Sequence, residues 1–157
     1  VSDLKQGNLN VAGISRQLDI RKSFSDLEDF VNWAVASNAT VFQTHLLAFK
    51  NQLKIDQATS DQTERERRFL AVGTDENGDV LHLIVHNSTY TKLYDGTRKV
   101  LDFLRTGRNM DVIFMINLDT GAQDVFQLYN SNCSENSTIK GQVSLANAEN
   151  LLVYYFE

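Results

Sequence analysis

Two rhythms of apolar residues run along this chain. Behind Ser25-Asp-Leu-Glu28, where a serine caps a helix and a glutamate reaches back to it, Leu27, Phe30, Val31, Ala34 and Val35 recur at helical spacing. They predict a helix to about Ala36, ended by Asn38. A second helix is predicted over residues 91–105, with Leu93, Thr97, Val100, Leu101 and Leu104 on one face and Gly107 as its stop. Elsewhere the rhythm is that of strands. Residues 69–74 and 80–86 flank Asp75-Glu-Asn-Gly-Asp79, a hairpin with Asn77-Gly78 available for positive-φ positions. Residues 8–14 read weakly as a strand, and residues 41–55 as two short strands broken near Lys50-Asn51. Residues 124–129 and 151–156 read as strands. Residues 57–68 are polar without an apolar period, which predicts a surface loop or exposed short helix, and residues 130–138 read as a polar loop. Hairpins with two helices predict an α+β fold: a mixed, largely antiparallel sheet packed with two main helices.

Residues 112–126 change character abruptly. The run from Val112 to Ile116 is apolar on both faces, as in a buried central strand, and ends in Asn117, Asp119 and a glycine-containing turn. Strict alternation places Ile113, Met115, Asn117 and Asp119 on one face and Val112, Phe114, Ile116 and Leu118 on the other. Polar groups at the end of a buried strand are costly unless hydrogen-bonded or used, and strand ends opening into loops often carry chemistry. Asp119 is therefore the first candidate for a functional carboxylate. Its plainer reading is a turn in which the carboxylate caps its own backbone. Asp124 adds a second carboxylate, and paired carboxylates are the equipment of glycosidic bond cleavage.

At 157 residues the chain fits a single domain. Its 42% hydrophobic and 22% charged residues are ordinary for a globular protein. A formal charge of -5 argues against nucleic acid as a partner, and no apolar run approaches the ~20 residues of a membrane span. Cys133 stands alone, which excludes an intrachain disulfide and multi-cysteine zinc sites. With no proline, turns rest on Gly, Asn, Asp and Ser. The chain begins at Val1 with no signal-like segment following, consistent with a processed or trimmed product.

Three histidines raise the question of a metal. His82 and His86 would share a strand face roughly 13 Å apart, too far to converge on an ion at ~2 Å, so no metal and no cofactor is expected. The run Glu64-Arg-Glu-Arg-Arg68 reads as a solvated face, with an anion site as the alternative because guanidinium groups match phosphate oxygens.

Three segments, in order, resemble one family. Phe42-Gln-Thr-His-Leu-Leu47, with residues 50–54, resembles its Gln-Ser/Thr-Gly-Pro-Leu-Leu strand and following turn. Arg68-Phe-Leu-Ala-Val-Gly-Thr-Asp-Glu-Asn-Gly78 resembles its Arg-x-x-x-Gly hairpin with an Asp-x-x-Gly tip. Residues 90–121 resemble its helix leading into Leu-Asp-Gly-Gly. This is the phosphodiester glycosidase family, the domain of the enzyme that removes N-acetylglucosamine from a phosphodiester to uncover mannose 6-phosphate. The similarity spans roughly residues 8–129. Where the family has Asp-Gly-Gly-Gly-Ser-Ser, this chain has Asp119-Thr120-Gly121-Ala122-Gln123-Asp124, which narrows and acidifies a glycine-rich anion cradle. His45 replaces Gly-Pro, Arg68 matches with a shift of one position, and the family's upstream Asn-Gly-Gly-Phe-Phe segment is at best imitated by Asn38-Ala-Thr-Val-Phe42.

The resemblance implies a hydrolase acting on a sugar-1-phosphodiester or related glycoside, in a secreted or periplasmic setting, with a carbohydrate or sugar-phosphate as its partner. It assigns Asp119 to the carboxylate role and His45 to proton donation or phosphate contact. Arg68 is assigned to the phosphate, with Gln43, Thr44, Asn117, Thr120, Gly121 and Asp124 as substrate contacts. The alternatives are a non-catalytic carbohydrate- or phosphate-binding module on the same scaffold, and an interaction module. The oligomeric state is left open by the sequence.

Overall fold

The computed structural model describes residues 10–14, 20–21, 27–118, 120, 125–128 and 137–141. The chain divides into two compact units, Val1–Leu118 and Asp119–Glu157. In the first, β1 (Asn10–Ile14), β2 (Ile20–Arg21), α1 (Leu27–Ala36) and β3 (Thr40–Thr44) precede β4 (Leu46–Phe49) and β5 (Gln52–Leu53). Next come β6 (Arg65–Thr74), β7 (Val80–Thr91), α2 (Leu93–Asp102), a π-helical turn Phe103–Gly107, and β8 (Asp111–Leu118). Strands β2-β1-β3 form one antiparallel sheet and β5-β4-β8-β6-β7 a second. In the second unit, β9 (Val125–Leu128) pairs antiparallel with β10 (Ser137–Gly141). The architecture is α+β, with β8 central in the five-stranded sheet as its apolar sequence requires.

Turn chemistry sets where the strands begin and end. Lys50 and Asn51 both have positive φ (49° and 60°), and Phe49 pairs with Gln52 across them. This is the two-residue turn whose twist matches the flanking strands. The β6–β7 turn uses only one such position, Gly78 at φ 85°. Asp75 and Asp79 close a three-residue loop through Asp75 N–H to Asp79 C=O and Gly78 N–H to Asp75 C=O, each 3.0 Å. The Asp75 carboxylate accepts the backbone N–H groups of Asn77 and Asp79, which lowers its pKa.

Helix α1 ends as expected at Asn38, whose φ of 46° is left-handed. Ala39 N–H donates to Ala34 C=O and Asn38 N–H to Val35 C=O, the paired bonds that satisfy a helix's last carbonyls. Its buried face is narrower than the apolar pattern. Phe30 and Ala34 are buried, with Trp33 beside Phe30 at 5.8 Å between ring centroids. Val35 is 76% exposed. A step of about 100° per residue carries it off the stripe that Trp33, Phe30 and Ala34 define. The predicted N-cap, Ser25, lies outside the described residues.

The second helix buries all five residues of its predicted face, Leu93, Thr97, Val100, Leu101 and Leu104. Against them pack Leu47, Ala48, Phe69, Ala71, Val112 and Met115 from one side of the five-stranded sheet. The other side carries a second cluster: Leu46, Leu70, Val72, Phe114 and Ile116. Each fully buried large apolar side chain contributes about 1.5–3 kcal/mol. The helical run ends at Gly107 as expected, but that glycine is not left-handed. The helix widens into the π-helical turn, and the left-handed residue is Asn109, φ 48°, followed by Met110 N–H bonded to Leu104 C=O.

Strict alternation fails in β8 at one point. Val72 pairs with Phe114 but Gly73 with Val112, leaving Ile113 as a bulge residue. Ile113 joins Phe114 and Ile116 on one face while Val112 joins Met115 on the other, correcting the expected assignment of both residues. Two further expectations change: Ser137 and Thr138, the end of the polar loop predicted over 130–138, begin β10, and residues 41–55 break at His45 as well as at Lys50-Asn51. The strand predicted over 151–156 lies outside the described residues.

Gly73 is required by the bulge. A Cβ there would lie 2.3 Å from Asp111 O and 2.7 Å from the Met110 methyl. Gly73→Ala is expected to cost about 3 kcal/mol in urea unfolding, as overpacking against backbone does. Gly78→Ala, strained only by its positive φ with nothing within 4 Å, is expected to cost about 1 kcal/mol. Equal costs at the two positions would discount the bulge contact.

Candidate functional site at the end of β8

The polar run preceding Phe69 is the expected loop as far as Glu64, but its last four residues begin a strand. Strand β6 begins at Arg65, and Arg67 and Arg68 are only 2% and 3% exposed. Because side chains alternate along a strand, the adjacent arginines face opposite sides of the sheet. Arg67 shares the α2 side with Phe69; Arg68 shares the other with Leu70.

Arg67 is held by bonds to three residues. Its Nη1 donates to the Asp61 carboxylate at 3.0 Å, Nη2 to Thr63 C=O at 2.5 Å, and Nε to Thr91 C=O at 3.1 Å. Arg65 adds a bond to the same Asp61 oxygen at 2.6 Å. The Asp61 backbone carbonyl accepts the Leu93 N–H at 3.1 Å. That bond caps a helix whose N-cap residue, Lys92, has no side-chain cap of its own. Burial lowers the Arg67 pKa from its ordinary value, with Asp61 opposing the shift. At Asp61, burial raises the carboxyl pKa, but hydrogen bonds from Thr63 and Arg67, with the Arg67 charge, outweigh it and hold the group well below the usual carboxylate range.

Gly96 makes this arrangement possible. A Cβ there would lie 2.9 Å from the Thr91 methyl and 3.4 Å from the Phe69 ring, so its absence lets the first turn of α2 settle onto Arg67 and Phe69.

Sequence reasoning missed Arg67. The available signal was the alternation Arg65, Arg67, Phe69, Ala71, which extends the β6 pattern back into the charged run.

Several of the predicted site residues meet at the end of β8. The Asn117 N–H donates to His45 C=O at 3.1 Å, and the Thr44 hydroxyl donates to Asn117 C=O at 2.6 Å. On the other flank of β8, Arg68 is the register partner of Leu118 and Phe69 of Asn117. Cross-strand partners share a face, so the Arg68 side chain lies with Leu118 and the Asn117 side chain with Phe69, on opposite sides of the sheet. Arg68 also faces His86 across β7.

Thr44 and His45 are half-buried. Gln43 sits in β3 opposite Val11. In the second unit Thr120 is half-buried. Asp119, Gly121, Asp124 and Cys133 lie outside the described residues.

His82 pairs with Val72, four residues along β7 from His86, and desolvation lowers its pKa. Among the described residues no group of three His, Cys, Asp or Glu side chains is placed to hold a metal ion. No described helix is long and apolar enough to cross a membrane. Neither a protein-family model, nor a curated protein, nor a solved structure matches the chain.

The Arg67 tie sets an acid-sensitive limit on stability. Asp61 has a depressed pKa in the folded state, so its contribution is complete above the unfolded value of about 3.9 and is lost as pH falls below it. Asp61→Asn is expected to cost about 3 kcal/mol at pH 7, since it leaves a buried guanidinium without its counter-charge. It should also flatten the loss of stability below about pH 4. Urea midpoints at pH 7 and pH 3 check both; a variant as steeply acid-sensitive as the native chain would remove Asp61 from this role.

Proposed function

We propose that the chain is a hydrolase that cleaves a glycosidic bond to a phosphodiester, using the end of β8 and the residues around it. The observation that supports this reading is convergence. Thr44, His45 and Arg68, taken from two separate stretches of sequence, meet the backbone of Asn117 and Leu118 at the end of one central strand, with the Arg68 and Asn117 side chains on opposite sides of the sheet. Asp119 follows that strand directly in the sequence.

The chemistry divides among these residues by type. A phosphodiester leaves readily, so a strong general acid is needed less than for an ordinary glycoside. A carboxylate is needed to activate water or to stabilise oxocarbenium charge, and that role goes to Asp119. Arg68 supplies the fork of donors that suits phosphate oxygens. His45 is assigned proton donation or a phosphate contact. Gln43, Asn117, Thr120, Gly121 and Asp124 are assigned to hydrogen bonds with the substrate; the Thr44 hydroxyl is already committed to Asn117 C=O. The setting proposed with this activity is secreted or periplasmic.

One feature of the sequence favours a second reading, a non-catalytic sugar- or phosphate-binding module. Ala122, Gln123 and Asp124 stand where the family has Gly-Ser-Ser, in a turn whose glycines would let backbone donors meet an anion. Each lost oxyanion donor removes about 3 kcal/mol of transition-state stabilisation, so turnover is expected to be slow.

The test is turnover on a panel of sugar-1-phosphodiesters, with Asp119→Asn as control. Slow turnover abolished by Asp119→Asn is expected, and replacing residues 122–124 with glycine and serine should raise the rate. Undiminished turnover in Asp119→Asn sinks the assignment of the carboxylate. Sugar binding without turnover in either form moves the protein to the binding-module reading.

A further inference from the structure

Thr44 carries a role that its place in the sequence does not disclose. Strand β4 pairs with β8 as far as Leu46 opposite Ile116. One step further the chain leaves this sheet at His45, because β3 belongs to the sheet with β1 and β2. Asn117 therefore sits where the ladder on this flank runs out. Its N–H still finds His45 C=O at 3.1 Å. An antiparallel ladder would take the reciprocal bond from the His45 N–H. Among the described hydrogen bonds, the donor to Asn117 C=O is instead the Thr44 hydroxyl, at 2.6 Å.

We infer that Thr44 is a positioning residue: its hydroxyl stands in for a ladder amide and fixes the last residues of β8, immediately before Asp119. A strand end with an unmet carbonyl frays or takes water; one closed by a short hydroxyl bond keeps its register. The functional side of this inference rests on the reading of the β8 end as a hydrolytic site. It replaces the substrate contact that the family resemblance implies for Thr44: the hydroxyl proton goes to the protein backbone.

The experiment compares Thr44→Val, which keeps the shape and removes the donor, with Thr44→Ser, which keeps the donor. Two quantities are measured in each: amide exchange of residues 116–118, and kcat and KM on whichever sugar-1-phosphodiester the native protein turns over. Thr44→Val should exchange about tenfold faster at these amides and lose about tenfold in kcat with KM within twofold. Thr44→Ser should match the native protein in both. Native exchange and native kcat in Thr44→Val overturn the inference. A loss confined to KM also overturns it, because the hydroxyl then touches substrate. If native protein turns over no substrate, the hydrolase reading fails by itself, and exchange alone decides the role of Thr44. Should Thr44→Val fail to fold, accelerated exchange in Thr44→Ser refutes the inference, and native exchange there upholds it.

Discussion

A buried guanidinium holds the five-stranded sheet, its helix and its longest loop in one arrangement. Arg67 is 2% exposed, and a cation in that position survives only if its donors are met and its charge is balanced. Asp61 and the carbonyls of Thr63 and Thr91 meet them. The partners come from two parts of the chain: the polar loop before β6 supplies Asp61 and Thr63, and the end of β7 supplies Thr91. Asp61 then reaches further, capping α2 through its own carbonyl. The loop is thereby ordered by what lies beneath it. Its other bonds are local, such as the Asp56 carboxylate accepting Ala58 and Thr59 N–H groups.

The same arginine explains why the charged run had to become a strand. Placing Arg67 beneath the first turn of α2 requires β6 to begin early enough to carry it there, and the pleat then sends Arg68 to the opposite face. Two identical neighbours in sequence acquire different work. Arg67 is spent on architecture. Arg68 is placed beside Leu118 and His86, next to the apolar cluster of the other face. An interpretation of the run by charge alone cannot separate them; the register does.

Much of this fold was legible in the sequence. The α2 face was readable because five residues at helical spacing all serve one core. The Asn38 stop and the Lys50-Asn51 turn were readable because asparagine tolerates positive φ. What escaped notice involved non-local causes. The bulge at Ile113 follows from how close Gly73 must come to Asp111, which no pattern within residues 112–118 contains. Strand β10 is Ser-Thr-Ile-Lys-Gly, too polar to announce itself without β9 beside it. The helix end at Gly107 was legible, but not the π-helical turn that forms it or the left-handed Asn109 beyond it. For the candidate site, motif order singled out Thr44, His45, Arg68 and Asn117, but not the sheet exit at His45 that determines what Thr44 does.

That exit is also where the two sheets of the first unit are joined by the shortest piece of chain. β3 and β4 are consecutive save for His45, yet they pair with different partners. A chain that changes sheets in one residue cannot continue both ladders, so some backbone group at the junction must be met by a side chain or remain unmet. The hydroxyl of Thr44 resolves this for Asn117. A strand end obliged to use a side chain in place of an amide can be altered by a single substitution without rebuilding either sheet. That separates the geometry at the end of β8 from the stability of the core, which rests on Arg67 and the apolar face of α2. The fold and the geometry of this strand end then draw on different residues, so a change at the end of β8 need not endanger the core beneath it.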